Sequence, residues 1–176
     1  VFVGYGLVAD EFDYNDYEGL DVEGKIVVAL AGRPESWPSE EGAHLASGSE
    51  KGRYAAERGA VGYVSLHTPK REKVRSYTTS LNYLTVPSME WLDKNGEPHG
   101  VQKQLKGGAY LNLSAGKILF ENAPQNLEEI FTLDTENKAI KGFPLNLNIS
   151  LAKDSSHEQV SSPNIIAVLP GSDPKL

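Results

Sequence analysis

The chain has 176 residues, 39% hydrophobic and 23% charged, which suits one folded domain and argues against a disordered tail. Its 24 acidic and 17 basic residues give a net charge of -7, which repels phosphate backbones and anionic lipid, so we expect neither nucleic-acid binding nor membrane insertion. The sequence holds no cysteine and no apolar run of about 18 residues, so disulfides, thiolate metal sites and a membrane-spanning helix are not expected.

The first part of the chain predicts two strands separated by a loop. Val1 to Gly6 is a short apolar segment that predicts a strand, and residues 26–30 form a continuous apolar run typical of a strand buried on both faces. Residues 10–23 lie between them and are acidic and rich in tyrosine, which predicts a loop. Prolines, glycines and serines predict a second, longer surface loop at residues 34–48.

A helix and a further strand are predicted next. Ser49 can cap a helix that extends to Arg58, and an apolar strand follows from Val61 to His67. Strand, helix and strand in this order form a βαβ-like unit. Residues 83–89 predict another strand, and Pro87 within it favours a position at the edge of a sheet.

The second half of the chain predicts two helices and two strands after a polar loop at residues 93–108. Ser114 and Asn126 can each cap a helix. Residues 145–151 alternate between apolar and polar side chains, which predicts a half-buried strand, and residues 165–169 predict a final apolar strand. Strands with a few interspersed helices predict an α+β fold.

Two short motifs match known catalytic or binding patterns in part. The segment from Gly4 to Ala9 has the glycine spacing of a dinucleotide-binding turn, but acidic residues follow it where that site needs a helix N-terminus for the pyrophosphate. The segment from Ser114 to Lys117 fits the Ser-x-x-Lys pattern of acyl-serine enzymes, but the partner motifs of those enzymes do not occur. A turn and a helix start explain the two segments better.

Metal-binding patterns are equally incomplete. The four histidines, His44, His67, His99 and His157, are far apart in sequence, whereas zinc requires three or four converging ligands. Asp13, Asn15 and Asp16 could offer oxygen ligands to calcium, but the full twelve-residue loop pattern is absent, and a solvated acidic loop is the alternative. We therefore predict no catalytic, cofactor-binding or metal-binding residue in this chain.

Three stretches taken in order carry a resemblance to a known family. They are VFVGYGLVADEFDYNDYEGLDVEGKIVVALAGRP at residues 1–34, KGRYAAERGAVGYVSLHTP at residues 51–69 and SSPNIIAVLPGSDPKL at residues 161–176. The first two resemble the protease-associated (PA) domain inserted in di-zinc aminopeptidases, which are relatives of the transferrin receptor and glutamate carboxypeptidase. The third is similar to the linker and first strand of the peptidase domain in such proteins.

The resemblance implies a PA-domain-like β-sandwich or open β-barrel with flanking helices. It implies a PA domain at residues 1–160, with a helical insertion at about 107–140, and a linker with the first, truncated strand of the peptidase domain at 161–176. Both ends are then expected to be cuts inside a longer polypeptide. The two zinc ions and the catalytic glutamate of such peptidases are expected downstream of Leu176, so no ligand is carried onto a position here.

The function that the resemblance implies is a non-catalytic accessory domain of a secreted or periplasmic zinc aminopeptidase. Such a domain contacts its host peptidase domain in cis and shapes access for a peptide or protein substrate. Candidate contact residues, expected in loops, are Trp37, His44, Arg53 and Tyr77. For Trp37 the alternative is that it covers the edge of the core.

Two other functions stay open at this point. One is an independent hydrolase in which acids and histidines from separate loops meet in space, which hydrolysis by the chain alone would reveal. The other is a carbohydrate-binding β-module, which needs a row of exposed aromatic side chains on one sheet face. Trp37 and Trp91 are the two tryptophans that could contribute to such a row.

The tail generates a testable prediction. If residues 163–169 belong to the sheet of a host domain, they lack their native partner strand in this chain. We expect this tail to be mobile, or to pair with a neighbouring molecule as an exposed strand edge. Amide hydrogen exchange on the dilute monomer measures this directly, and uniformly strong protection of the tail would contradict it.

Overall fold

A three-stranded parallel sheet forms the centre of the molecule in the computed structural model, which describes residues 1–84, 86–169 and 171–172. The strands are β3 Ile26–Leu30, β4 Gly62–Leu66 and β5 Gly107–Leu111, with β4 in the middle. A small antiparallel pair, β1 Val8–Ala9 and β2 Tyr14–Asn15, precedes them. Because the three central strands run in parallel and in register, their carboxyl ends meet at one edge of the sheet.

Six helices connect and follow these strands. They are α1 Ser39–Leu45, α2 Gly48–Glu57, α3 Pro69–Val74, α4 Tyr77–Leu81, α5 Leu113–Leu119 and α6 Leu127–Thr135. Five of them begin with a side-chain cap that accepts a backbone N–H of the first turn; the caps are Ser47, Thr68, Ser76, Asn112 and Asn126. No helix in the described ranges is long and apolar enough to cross a membrane.

The first residues of the chain add a fourth line of backbone pairing to the sheet. Val28 N donates to Val1 O at 2.8 Å, and Leu30 N donates to Gly4 O at 2.8 Å, so this segment runs beside β3 in parallel. Phe2 also pairs with Phe143 in the antiparallel sense. The predicted strand at the start of the chain is therefore present as bridges rather than as a continuous strand.

The two faces of the sheet are covered by different helices. Side chains alternate along β4, so Val64 and Leu66 point to one face and Tyr63 to the other. Gly116 of α5 lies against Leu66, while α2 covers the opposite face, where Gly52 and Tyr63 line a common groove.

An aromatic cluster completes the core on the α5 side. The ring of Phe2 lies 5.1 Å from that of Phe120 and 5.2 Å from that of Phe143.

The α+β class is confirmed, and the described residues form two small sheets without a closed barrel. The predicted buried strand at 26–30 and the strand within 61–67 are present as β3 and β4. The predicted helix after β3 is α2, but Ser47 caps it rather than Ser49. Asn126 caps α6 as expected, whereas the cap of α5 is Asn112 rather than Ser114.

Several segment predictions were wrong. The supposed loop at 34–48 contains α1, whose first turn carries Glu40 and Glu41 at the positive end of the helix dipole. The described residues of 83–89 form no strand, and Thr85 within that segment lies outside the described residues. Residues 145–151 are also irregular, because only Leu145 is buried in the core while Leu147 and Leu151 face solvent.

Strand β5 was not predicted, because the two glycines that open it lie in the predicted loop at residues 93–108. The region predicted as a helical insertion at about 107–140 does contain α5 and α6, but it begins with β5 and so contributes to the central sheet. Of the predicted linker at 161–176, residues 161–169 form no helix or strand and Leu169 is 96% exposed. Residues 170 and 173–176 of that linker lie outside the described residues.

Gly108 allows β5 to approach β4, and this can be tested. A Cβ at Gly108 would lie 2.7 Å from the backbone oxygen of Tyr63, so Gly108→Ala must displace one strand. We expect it to lower the free energy of unfolding by about 1–3 kcal/mol. Gly48→Ala is the matched control, because a Cβ added at Gly48, the first residue of α2, would meet nothing within 4 Å. This substitution should leave the free energy of unfolding unchanged or slightly raised. Urea denaturation measures both variants, and equal stabilities would contradict the packing argument.

Candidate interaction surface

Trp37 is buried rather than exposed. Its side chain is 8% exposed, and its ring packs 4.7 Å from that of Phe12 and 5.1 Å from that of Tyr14. Arg33 Nη1 donates to the Trp37 carbonyl oxygen at 2.8 Å, which fixes the loop around it. The expected exposure was wrong, and the alternative, that Trp37 covers the edge of the core, is confirmed.

The other three predicted contact residues lie in helices rather than in loops. His44 is exposed near the end of α1. Arg53 lies on α2, where its guanidinium pairs with Glu50 at 2.5 Å and Glu57 at 2.7 Å. Tyr77 begins α4 and is half-buried. The four residues thus lie in one loop and three different helices, and Tyr77 is the one that belongs to a larger polar cluster.

That cluster, which we call the His67 cluster, consists of His67, Glu72, Tyr77 and Tyr110 at the carboxyl end of the sheet. His67 directly follows β4, and its side chain is 1% exposed. Its Nδ1 contacts the Tyr110 hydroxyl, and its Nε2 lies 2.5 Å from Glu72 Oε2. The same Glu72 oxygen accepts the backbone N–H of Tyr77 at 2.8 Å. One carboxylate oxygen therefore joins the end of β4 to the start of α4.

Aromatic packing closes the His67 cluster. The rings of Tyr77 and Tyr110 stack with centroids 5.4 Å apart, and the Tyr77 hydroxyl donates to the Tyr110 carbonyl oxygen at 2.9 Å. The hydrogen bond from the Tyr77 amide, reinforced by the contact with His67, holds the pKa of Glu72 below its ordinary value. Burial raises the pKa of Tyr110. The cluster fastens α3 and α4 to the sheet.

A second polar network joins α3 to α6, to Tyr5 near the start of the chain and to Glu35. Lys70 Nζ donates to the backbone oxygen of Asp134 at 2.5 Å and lies 3.1 Å from the carboxylate of that residue. The buried Asp134 carboxylate also accepts the Tyr5 hydroxyl at 2.5 Å. Lys70 further pairs with Glu35 at 3.2 Å. The short helix α3 is thus held to α6 as well as to the sheet.

Beyond these anchors lies a stretch of exposed apolar side chains that we call the apolar segment, residues 81–84 and 86–92. Met89 is 82% exposed, and Tyr83, Leu84 and Trp91 are each more than 60% exposed. The remaining exposed apolar residues in the segment are Leu81, Val86 and Leu92. The sequence signal for this surface is its apolar content, which also predicts a strand at residues 83–89.

The end of the apolar segment is part of a tight hairpin. His99 N donates to Trp91 O at 2.9 Å, and the two rings stack with centroids 4.1 Å apart. Asp93 Oδ1 accepts the backbone N–H groups of Asn95 at 2.8 Å and Glu97 at 3.0 Å, which defines the turn. Trp91 is therefore both exposed and conformationally fixed.

The surroundings of the apolar segment are basic. Residues 70–106 contain seven lysines and arginines against four acidic residues, a net charge of +3 in a chain of net charge -7. Arg71, Lys73 and Arg75 are exposed at α3, and the Arg75 guanidinium lies 5.3 Å from the centre of the Tyr83 ring. The rest of the chain carries the excess of negative charge.

Two strongly perturbed ionisable groups lie elsewhere, inside the molecule. Burial lowers the pKa of Lys51 to about 7 and raises the pKa of Asp16 to about 6. Lys51 Nζ donates to the backbone oxygens of Leu30 at 3.0 Å and Gly32 at 2.6 Å, so it caps the carboxyl end of β3. Asp16 Oδ2 accepts the backbone N–H of Leu7 at 3.0 Å. Through these contacts, both groups stabilise the backbone around them.

The acidic loop and the histidines offer no assembled metal site within the described ranges, where no group of three His, Asp or Glu side chains could hold an ion. Asn15 Oδ1 accepts the backbone N–H of Tyr17, so the Asn15 and Asp16 oxygens considered for calcium serve the loop itself.

Comparison with family models, with curated proteins and with solved structures finds no match for this chain. What its surface can do is therefore argued from its geometry, its charge and the motifs of its sequence.

The buried Lys51 ammonium makes stability depend on pH in a testable way. The pKa of Lys51 is about 7 in the folded chain against an ordinary 10.5, so between these values the unfolded chain binds more protons and stability rises with pH. We expect the free energy of unfolding of the wild type, relative to Lys51→Met, to increase from about pH 7 to about pH 10. Urea denaturation at several pH values measures this difference. The control is Lys25→Met, an exposed lysine paired with Asp21, which should give a flatter difference; a flat profile for Lys51→Met as well would contradict the prediction.

Proposed function

We propose that this chain is a non-catalytic accessory and interaction domain of an exported zinc aminopeptidase, and that the apolar segment is the surface through which it contacts the host peptidase domain. The observation that carries the proposal is a run of seven exposed apolar side chains attached to an anchored part of the fold. Seven such side chains in eleven described residues exceed the scattered apolar exposure of an ordinary surface.

The composition of the apolar segment favours a protein partner. Aromatic residues and methionine are enriched in the buried centres of protein interfaces, and the segment presents Tyr83, Met89 and Trp91. Burying a large apolar side chain stabilises a complex by roughly 1.5–3 kcal/mol. The segment therefore has the means to hold a partner through a few central contacts.

Because the apolar segment is anchored, its contacts can contribute more to the binding free energy. The His67 cluster and the Lys70–Asp134 pair hold α3 and α4, and the hairpin fixes Trp91. A surface that is already ordered loses less conformational entropy when it binds. This separates the apolar segment from the tail at 165–169, whose apolar side chains are exposed without comparable fastening.

Charge indicates what the partner surface presents. The exposed Arg71, Lys73 and Arg75 lie next to the apolar segment in sequence, and complementary charge across an interface steers association. We expect the facing surface of the host domain to carry acidic residues around an apolar centre.

The motif order supplies the identity of the host in this proposal. The resemblance of residues 1–34, 51–69 and 161–176 supports a PA domain followed by the start of a peptidase domain. In that case the two zinc ions belong to the host, this chain binds no cofactor of its own, and the host acts on a peptide or protein substrate outside the cytoplasm.

The carbohydrate-binding alternative loses part of its basis. With Trp37 buried between Phe12 and Tyr14, Trp91 is the one tryptophan left to present a face to a sugar. The hydrolase alternative is tested by incubating the chain alone with peptide substrates.

Reading the parent gene past the codon for Leu176 tests the identity of the host. A following apolar strand with His-x-Asp, and later a Glu-Glu pair, would support the peptidase host. A stop codon or an unrelated sequence would overturn it.

The docking surface is tested by paired substitutions in the isolated chain and in the parent protein. In the isolated chain, Leu84→Ser and Met89→Ser should change the free energy of unfolding by less than about 0.5 kcal/mol, because both side chains already face solvent. In the parent, each should cost about 1–3 kcal/mol, because the side chain is then buried at the interface. Urea denaturation of both proteins gives the values.

Ile118→Ser is the control, since Ile118 is 72% exposed on α5 and lies outside the apolar segment. It should be neutral in both proteins. Equal, small effects of all three substitutions in the parent would contradict docking through the apolar segment.

A further inference from the structure

The geometry points to an acid-sensitive latch at the His67 cluster: the ionised Glu72 carboxylate holds the start of α4, and with it the apolar segment that follows, to the carboxyl end of the sheet, and its protonation loosens that attachment. This inference rests on the proposed docking role, because it concerns how the docking surface is held in place. It adds regulation by pH to that role.

The latch depends on a single oxygen atom with two donors. Glu72 Oε2 lies 2.5 Å from His67 Nε2 and 2.8 Å from Tyr77 N. His67 belongs to the end of the sheet and Tyr77 to the first turn of α4, so the carboxylate bridges a rigid element and a peripheral one. The Glu72 side chain is 47% exposed, which gives solvent protons direct access to the bridge.

Protonation of Glu72 changes the balance of charge around a buried ring. The ionised carboxylate accepts a hydrogen bond from the ring of His67, whose side chain is 1% exposed, and a neutral carboxyl is a weaker acceptor for that bond. The neutral carboxyl is also a weaker acceptor for the Tyr77 amide.

The groups facing the ring offer no replacement for Glu72. In the described part of the chain, the side chains that hydrogen-bond to the His67 ring or pack an aromatic ring against it are Tyr110 from β5, Tyr77 from α4 and Glu72 from α3, of which Glu72 alone is anionic. Arg71 of α3 lies near Tyr110 and brings a further positive charge to the cluster. The second anchor of α3, Lys70, is engaged with Asp134 and Glu35.

The direction of the pH dependence follows from the pKa of Glu72. The Tyr77 amide, with the His67 contact, holds this pKa below its ordinary value of 4.5, so folding favours the ionised form. The stabilisation is complete above the ordinary pKa and is lost as the pH falls through the lower pKa of the folded chain. Release therefore occurs in acid and is absent near neutral pH.

Amide hydrogen exchange on the isolated 176-residue chain tests the latch without any host domain. Protection factors, corrected for intrinsic exchange at each pH, are measured for residues 77–84 and for β3 at about pH 6 and about pH 3. In the wild type we expect protection of residues 77–84 to fall by about tenfold or more in acid while β3 keeps its protection. Glu72→Gln should show the lower protection already at pH 6, with little further pH dependence.

Glu90→Gln is the matched control, because Glu90 is an exposed glutamate in the apolar segment and outside the cluster; it should behave as the wild type. Unchanged protection of residues 77–84 in the wild type between the two pH values would overturn the latch, and so would wild-type protection in Glu72→Gln at pH 6. Parallel loss in β3 and residues 77–84 would also overturn it, since that outcome means global acid unfolding. Failure of docking appears instead in the parent-protein substitutions, so the two proposals fail separately.

Discussion

Parallel pairing of β4 with both of its neighbours is the constraint on which the rest of this structure depends. Parallel strands require crossover connections, and here these place α2 on one face of the sheet while α5 packs on the other. The same pairing brings the ends of β3, β4 and β5 to one edge. Side chains at the ends of those strands, such as His67, meet there without being neighbours in sequence. At the end of β3, the Lys51 ammonium group donates to backbone oxygens.

The polar groups at this edge do two kinds of work. Lys51 satisfies carbonyl oxygens that would otherwise end the strand unpaired in the interior, which makes it part of the core. The His67 cluster instead connects the core to helices that carry few buried residues of their own. The apolar segment can remain exposed and still be presented in a defined position, because its base is held by hydrogen bonds and ion pairs rather than by hydrophobic packing.

Local patterns were sufficient for the elements whose sequence carries its own signal. The run at 26–30 is apolar throughout, and Asn126 precedes a segment with helical spacing, so β3 and α6 were predicted from the residues alone. Strand β5 could not be predicted in this way. The absence of a side chain at Gly108 is required by its close approach to β4, and local sequence does not show that these two strands are neighbours. Residues 145–151 have the alternation typical of a strand, but they pair with no strand in the described structure.

The candidate site was predicted less well for the same reason. Trp37 was expected to be exposed from the prolines around it, but Phe12 and Tyr14 cover it from a distant part of the chain. Tyr77 was named, whereas its partners Glu72 and Tyr110 were not, since nothing in the spacing shows that the carboxyl ends of β4 and β5 lie side by side.

The contrast between the two tryptophans has a practical consequence. Trp37 is enclosed by aromatic rings, so its fluorescence follows the integrity of the core. Trp91 stacks on His99 at the surface, so its emission and its accessibility to a dissolved quencher follow whatever covers that hairpin. The chain thus carries two intrinsic optical probes, one for folding and one for occupancy of its exposed face, and replacing either tryptophan with phenylalanine isolates the signal of the other.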